Sequence, residues 1–247
     1  SSNQSDLYER NRVRKEISRL SDSGKSNLTQ ELSDVNKQAE RLTQDLISGI
    51  AESVHISNYG FALIDLTVLL GLHQDIKIQI LNYILTIISG KMSLPRYRNL
   101  EKLLSRLKSL DLKCSLHGCI IKRIAGSKLI VFREKVAMPN YPIKFNSNEC
   151  WDGRFEIIYT QAIPNEYVID SMRLSDYIEI RDRLNLRDLA TLSHNNHKSI
   201  LFTLPVVKKG KKIVAIPNIS YYDDGTFSAT VEVIFRSNFT SRFTHFF

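Results

Sequence analysis

The chain has 247 residues, of which 43% are hydrophobic, so a buried core can form in one large domain or two ordinary ones. It carries a net charge of +8 from 34 basic and 26 acidic residues, and only three cysteines, which argues against a disulfide scaffold. The longest apolar run, 76–88, is too short to cross a membrane and contains polar residues, and no export signal opens the chain, so we expect a cytoplasmic protein.

In chain order, residues 1–20 predict a basic linker helix. Apolar residues then recur at spacings of three and four from Leu28 to Ile50, which predicts an amphipathic helix packed on a partner helix. Residues 61–70 fit either a strand or a helix. A helix is predicted over 75–89, closed by Gly90, and another begins at 93–95 with an apolar stripe of leucines: Leu100, Leu103, Leu104 and Leu107.

The pattern changes at Ser115 to short β-rich runs. Residues 116–123 and 128–134, joined through 125–127, predict a hairpin, and 138–148 reads as a linker. Further strands are predicted at 154–160, 201–207, 212–216 and 226–235. The predicted fold class is α+β: a linker helix (1–20), a mainly helical substrate-binding domain with a small β-hairpin (21–144), and a smaller C-terminal α+β domain with antiparallel strands (145–247).

Glycine spacing excludes the common phosphate-binding and hydrolase motifs. The ten glycines never lie closer than eight positions apart, so GxGxxG, Walker A and GxSxG are absent. The stretch SDSGKS at 21–26 resembles a phosphate loop, but Arg19 stands where the first glycine is required. We therefore expect no catalytic residues and no bound cofactor in this chain.

Metal sites are also not expected. Cys114 and Cys119 are five residues apart in what reads as one strand, which would place them on opposite faces. His194 and His197 fall in a polar, loop-like run without a nearby acidic or cysteine ligand. Both groups are interpreted as structural or solvated residues.

Positive charge is concentrated between 91 and 144, where thirteen Lys and Arg residues face three acids. Lysine and arginine displace counterions from phosphates, so this block favours a polyanion partner, although an ordinary solvated basic surface is the alternative. The candidate RNA contacts in this block are Arg96, Arg98, Lys102, Lys122 and Arg123.

Four segments resemble the C-terminal portion of the tRNA(Ile)-lysidine synthetase family. They are the arginine-rich opening with Arg10-Asn11-Arg12-Val13-Arg14, the stretch 80–103 with its Ser93-Leu94-Pro95, the strand pair with Leu116-His117-Gly118-Cys119, and the segment 204–217 that starts with Leu204-Pro205. The sequence departs from the family pattern at Lys15, where the family usually has His.

The resemblance implies an enzyme that uses ATP to join lysine to the wobble cytidine of tRNA(Ile) with a CAU anticodon. The resulting lysidine changes codon reading from AUG to AUA. ATP and Mg²⁺ would be bound by an N-terminal domain with an SGGxDS loop, which we expect to be missing here, so this portion alone should be inactive. The implied partners are tRNA(Ile) and lysine, with a possible homodimer and no membrane.

Two further groups of candidates come with this resemblance. Asn11, Arg12 and Arg14 would contact ATP phosphate or the anticodon loop, since guanidinium groups bind phosphate bidentately; alternatively they pair with glutamates of their own helix. The family's final domain reads the tRNA body. The corresponding candidates form a lysine-rich turn that is alternatively a solubilising tip: Lys208, Lys209, Lys211 and Lys212, with Arg236 and Arg242 nearby.

Two competing functions remain open on the sequence. One is a stand-alone basic RNA-binding adaptor without enzymatic activity. The other is a hydrolase that uses His194 and His197.

Overall fold

A computed structural model describes residues 9–236 except 140, 146–149, 161, 187–188, 190–191, 224–226 and 228–229. The chain divides into two compact units, one up to residue 48 and one from residue 49 onward. Within the described ranges, no helix has the length and apolar character that a membrane crossing requires. The predicted boundary at 144/145 stays a prediction, and the division places residues on both sides of it in the second unit.

Two helices make up the first unit, α1 (Glu9–Arg19) and α2 (Asp22–Ser53), whose last turn belongs to the second unit. The segment SDSGKS is the beginning of α2, where the Ser21 hydroxyl accepts a hydrogen bond from the Gly24 amide at 3.2 Å. The predicted amphipathic helix is therefore confirmed and is longer than expected. Its apolar stripe is not buried as predicted, because Leu32, Val35 and Leu42 are 45–62% exposed.

The second unit begins with a five-stranded antiparallel sheet in the order β1-β2-β5-β4-β3. Its strands are β1 (Val54–Ser57), β2 (Phe61–Asp65), β3 (Lys113–Leu116), β4 (Cys119–Ile124) and β5 (Lys128–Arg133). Segment 61–70, which fitted either a strand or a helix, contains one of each: β2 is followed directly by α3 (Leu66–Gly71). Asp65 ends the strand and caps the helix by accepting a hydrogen bond from the Thr67 amide at 2.8 Å.

The predicted hairpin is confirmed as β4 and β5, but it is the centre of a larger sheet. The run 116–123 is not one strand, because His117 and Gly118 both have positive φ and reverse the chain between β3 and β4. This turn also corrects the prediction for the cysteines. Cys114 pairs with Ile121 and Cys119 with Leu116 in register, so both cysteines lie on the same face of the sheet.

Helices α4 (Gln74–Ser89) and α5 (Tyr97–Arg106) provide the core against this face. The Cys119 thiol contacts the Leu85 carbonyl at 3.6 Å, and burial raises the pKa of that thiol to about 12. Helix α4 ends at Gly90 in the left-handed conformation, as predicted. The predicted stripe of α5 is also confirmed: Leu100, Leu103 and Leu107 are at most 3% exposed.

Two further antiparallel sheets follow. The first has the order β12-β11-β10-β9-β6 and the second β13-β8-β7, which confirms the α+β class with antiparallel strands. The remaining elements are β6 (Ile143–Lys144), β7 (Cys150–Trp151), β8 (Phe155–Tyr159), β9 (Tyr167–Ser171), α6 (Leu174–Ile180), α7 (His194–Leu201), β10 (Pro205–Lys209), β11 (Lys212–Ile216), β12 (Tyr221–Tyr222) and β13 (Val231–Phe235).

Of the later strand predictions, 154–160 and 212–216 hold, whereas the strand expected over 226–235 begins only at Val231, and residues 226 and 228–229 lie outside the described residues. The strand expected over 201–207 starts only at Pro205, because Leu201 is the last residue of α7 and residues 202–204 form the turn that follows it. The polar run around His194 and His197 is therefore the start of a helix and not a loop. Although the run is mostly polar, the helix has an apolar side, since Ile200 and Leu201 are fully buried.

One buried carboxylate joins the first sheet to the later part of the chain. Asp152 receives two hydrogen bonds from Arg133 and one from Arg154, all at 2.8 Å. The three side chains are 3%, 4% and 0% exposed, respectively. Arg154 also donates to the Thr203 carbonyl at 2.6 Å. Burial lowers the pKa of Arg154 to about 10, although Asp152 opposes that change.

Two glycines allow the loop that carries Asp152 to lie against the end of α4. Gly90 and Gly153 both have positive φ, at +69° and +67°. A Cβ on Gly90 would lie 2.1 Å from the Asp152 carbonyl oxygen, and a Cβ on Gly153 would lie 2.2 Å from that of Gly90. Backbone contacts this close leave no room for any side chain.

We predict that Gly90→Ala lowers the free energy of unfolding well beyond the roughly 1–2 kcal/mol that positive φ alone costs alanine. Gly126→Ala is the matched control, because Gly126 has φ +73° and nothing within 4 Å of its Cβ position. Urea unfolding of both variants measures the difference. Equal destabilisation of the two would show that the approach to Asp152 contributes nothing.

The lysine-rich turn is the two-residue loop Gly210–Lys211 between β10 and β11, but its four lysines do not share one tip. Lys208 is 4% exposed, and its ammonium group lies 3.0 Å from Asp170 and 2.8 Å from Asp176. A register shift between Val207 and Lys208 accompanies this inward position. The prediction of four lysines on an exposed tip is therefore wrong for Lys208, which compensates two buried carboxylates.

We expect Lys208→Met to destabilise the protein by about 3 kcal/mol or more, because buried Asp176 would lose its cation and Asp170 would keep only the exposed Arg173, at 3.8 Å. Lys211→Met is the control: Lys211 is exposed in the same turn, and its replacement should change stability by less than about 0.5 kcal/mol. Denaturant midpoints of the two variants provide the comparison. A tolerated Lys208→Met would mean that the pair of aspartates does not need the lysine.

Candidate nucleic-acid interface

The candidate residues of the opening segment lie on α1, in the first compact unit. Arg12 and Arg14 are exposed, and Asn11 is half-buried. Exposed guanidinium groups are free to reach an anionic ligand, so the position is compatible with the predicted phosphate contact. The contact itself stays a prediction.

Helix α5 presents a basic face to solvent. Arg98, Lys102 and Arg106 follow one another at intervals of four residues and are exposed, as is Arg96 just before the helix. The leucines described above bury the opposite side. Like charges four residues apart destabilise a helix by a few tenths of a kcal/mol per pair. The spacing of these cations therefore does not stabilise α5.

A shallow groove lies between this basic face and the edge strand β3. It has a volume of about 250 Å³, and Lys102 and Arg106 line it together with Cys114 and Ser115. Burial raises the pKa of the Cys114 thiol, so this cysteine contributes a neutral group to the groove. The charge of the groove is therefore supplied by α5.

Lys122 and Arg123 are neighbours on β4 but have different partners. The Arg123 guanidinium donates to the Leu107 carbonyl at 3.2 Å and so satisfies the C-terminal end of α5. The Lys122 ammonium group lies 3.4 Å from the side-chain oxygen of Asn196 in α7. Alternation along the strand explains the difference, because successive side chains leave a sheet on opposite faces.

A longer groove lies between α7 and the face of the sheet that carries Lys122; we call it the sheet–α7 groove. It consists of two adjoining cavities of about 440 and 570 Å³ that share Lys122 and Asn196. Nine residues line each cavity and two line both, which gives sixteen in total, and none of the sixteen is acidic. Five of them are cations, namely Lys113, Lys122, Arg123, Lys128 and Lys198, although the Arg123 guanidinium is directed to the Leu107 carbonyl on the other face.

Two of these lysines are held directly opposite each other. Lys113 of β3 pairs in register with Lys122 of β4. Like charges directly opposite across a sheet are destabilising. A bound anion would remove this repulsion, so the pair favours an anionic ligand in the groove.

The sequence did not single out three of the cations. Lys113 and Lys128 belong to the basic block, and cross-strand pairing in the hairpin places Lys128 on the same face as Lys122. Lys198 lies outside the block, and its ammonium group sits over the rings of Tyr177 and Phe202 at 5.4 and 5.7 Å. Only the fold brings α7 next to the sheet.

The remaining candidates in the lysine-rich turn are largely neutralised. Lys209 pairs with Glu166 at 2.9 Å and Lys212 with Asp223 at 2.5 Å, and these hydrogen bonds raise the pKa of both lysines. Arg236 pairs with Glu156 at 3.3 Å, while Arg242 lies outside the described residues. In this part of the molecule, Lys211 is the candidate for which no ion pair is found among the described residues.

A ligand set for a metal is not formed by the described part of the chain, where no three His, Cys, Asp or Glu residues are placed to hold an ion. His117, between the two cysteines in sequence, instead has its Nε2 at 2.9 Å from the Ser93 carbonyl. Burial, with Lys91 and Arg133 nearby, lowers the pKa of this histidine.

No protein-family model matches the chain. It is 41% identical over its full length to the tRNA(Ile)-lysidine synthase of Rickettsia bellii (strain OSU 85-389), covering 57% of that protein. It is 39% identical over 99% of its length to that of Rickettsia felis, again covering 57%, and 42% identical over 85% to that of Rickettsia rickettsii (strain Sheila Smith), covering 44%. The chain thus spans little more than half the length of these relatives. Through nearly its whole sequence it matches a portion of the tRNA(Ile)-lysidine synthase family, which confirms the resemblance drawn from its motifs.

Proposed function

We propose that this chain is the part of a tRNA(Ile)-lysidine synthase that binds the tRNA, while the ATP-dependent chemistry resides elsewhere in the full-length protein. The observation that carries the proposal is the clustering of unneutralised cations on both sides of β3. The basic face of α5 lies on one side, and the acid-free sheet–α7 groove lies on the other.

In the full-length enzyme, ATP would activate the wobble cytidine of the CAU anticodon, and the amine of lysine would then displace AMP to form lysidine. ATP and Mg²⁺ would be held by a domain with an SGGxDS loop, and the glycine spacing of this chain contains no such loop. The contribution of the present residues is to hold the tRNA body and so fix the position of the anticodon. Such positioning lowers the entropic part of the reaction barrier.

The candidate groups contribute unequally to tRNA binding. The α5 face and Lys122 are uncompensated and accessible, so they are the principal contacts. Arg12 and Arg14 are exposed on α1 and are proposed to contact phosphate of ATP or of the anticodon loop. The lysine-rich turn contributes through Lys211, because Lys208 is buried and its two neighbours are paired.

We expect replacement of Arg96, Arg98 and Lys102 together by serine to weaken binding of tRNA(Ile). If each contacts one phosphate, the slope of log K against log salt should become less steep by about 2, since each contact contributes roughly 0.7–0.9. Filter binding or fluorescence anisotropy over a salt series measures this slope.

The matched control removes three cations from α2, as Lys25, Lys37 and Arg41 changed to serine, and has the same net charge. It should bind tRNA with nearly unchanged slope. If both triple variants lose the same affinity, net charge rather than the α5 face accounts for binding.

A second test concerns the division of labour. The isolated chain, supplied with ATP, Mg²⁺, lysine and tRNA(Ile), should neither release AMP nor form lysidine, because it has no loop to bind pyrophosphate. Thin-layer analysis of labelled AMP and mass spectrometry of the tRNA are suitable measurements. AMP release that depends on both tRNA and lysine would contradict the proposal.

A further inference from the structure

The size of the sheet–α7 groove limits what can enter it. Its two cavities, about 440 and 570 Å³, lie in the range of small-molecule sites. A double-stranded RNA helix is far wider than such a cavity and could touch only its rim. An unpaired nucleotide has a single base and a single backbone, so it can enter.

The groove is composed of the two kinds of group that single-stranded nucleic acids bind. Lysines stand on both walls, with Lys113 and Lys122 on the sheet and Lys198 on α7. Between them lie apolar and aromatic side chains, namely Ile120, Phe132 and the half-buried Phe202. Proteins that hold single strands combine a cationic path for the backbone with flat apolar surfaces for the bases.

The contact between Lys122 and Asn196 divides the groove into two compartments. Both residues line both cavities, and their side chains meet at 3.4 Å. Asn196 is 4% exposed, so this bridge is fixed in place by burial. A ligand that fills both compartments must therefore pass Lys122, and a chain of nucleotides presents a phosphate between successive bases at that point.

We infer that the sheet–α7 groove binds an unpaired stretch of RNA at least two nucleotides long, with Lys122 on the phosphate between two bases. This inference rests on the proposed function and specifies which kind of RNA segment the groove takes. The α5 face, where Arg98, Lys102 and Arg106 are exposed at intervals of four residues, contacts the backbone of helical RNA. An acidic peptide would satisfy the lysines but would leave the apolar floor without a partner.

The test uses the intact chain and two fluorescent probes, an oligouridylate of about six nucleotides and an RNA hairpin with a similar number of phosphates. The single strand should bind roughly tenfold more tightly than the hairpin, because only its bases reach the floor of the groove. Lys122→Ser/Lys198→Ser should lose about tenfold in affinity for the single strand, and little for the hairpin.

The matched control is Lys37→Ser/Arg41→Ser on α2, which removes the same charge and should leave both affinities unchanged. Phe202→Leu keeps an apolar residue in place but removes the ring, and it should weaken binding of the oligouridylate several-fold while an abasic oligomer is unaffected. Circular dichroism and urea midpoints establish that each variant is folded.

Equal affinity for single strand and hairpin would overturn the inference, as would competition by polyglutamate as effective as that by oligouridylate. Its failure is separable from that of the proposed function. If the serine changes on α5 weaken tRNA binding while the groove variants bind the oligouridylate normally, tRNA binding stands and the groove has no part in it. If the groove variants alone respond and tRNA(Ile) does not bind, the groove inference stands without the proposed function.

Discussion

The geometry of this molecule depends on one carboxylate held between two buried guanidinium groups. Asp152 forms ion pairs with Arg133 at the end of β5 and with Arg154 just before β8, and all three side chains are almost completely removed from water. Removing charges from water is costly, and that cost is offset only where hydrogen bonds are nearly complete. The close approach of Gly90 and Gly153 provides the space in which this pairing occurs.

The same network sets the position of α7. Arg154 donates to the carbonyl of Thr203, which lies two residues beyond the last residue of α7. The helix that forms one wall of the sheet–α7 groove is thus tied to the arginine that Asp152 holds. The groove residues themselves need no acidic partner for their positions, which is why their charge is still available for a ligand.

The fold sorts the many cations of this chain into three groups that composition does not distinguish. Lys208, Lys209 and Lys212 are compensated by carboxylates. Arg123 is engaged by a helix carbonyl. The lysines of the sheet–α7 groove and the arginines of α5 remain uncompensated among the described residues, and a high local density of such charge attracts phosphate. A positive net charge is therefore a poor guide to a binding surface until the ion pairs are known.

The sequence predicted most of what depends on local pattern. The periodic helices α2, α4 and α5, the cap at Gly90 and the hairpin β4–β5 follow from residue spacing and from glycine at the turns. It failed where a few residues reverse the chain, as at His117-Gly118, and where a polar stretch folds because of distant contacts, as in α7. It could not identify Lys208 as buried or Lys198 as a groove residue, because their partners are tens of residues away.

The order of strands in the first sheet affects how the chain can fold. Strand β2 has β1 as its neighbour on one side, but its other neighbour is β5, which follows about sixty residues later and after three helices. At synthesis rates of roughly 5–20 residues per second, several seconds pass before that partner leaves the ribosome. Meanwhile, one edge of β2 has no strand to pair with, and an unpaired edge is open to other chains. The short-range hairpin β4–β5 closes a much smaller loop, so it can form first and receive β2 afterwards, in the order that loop entropy favours.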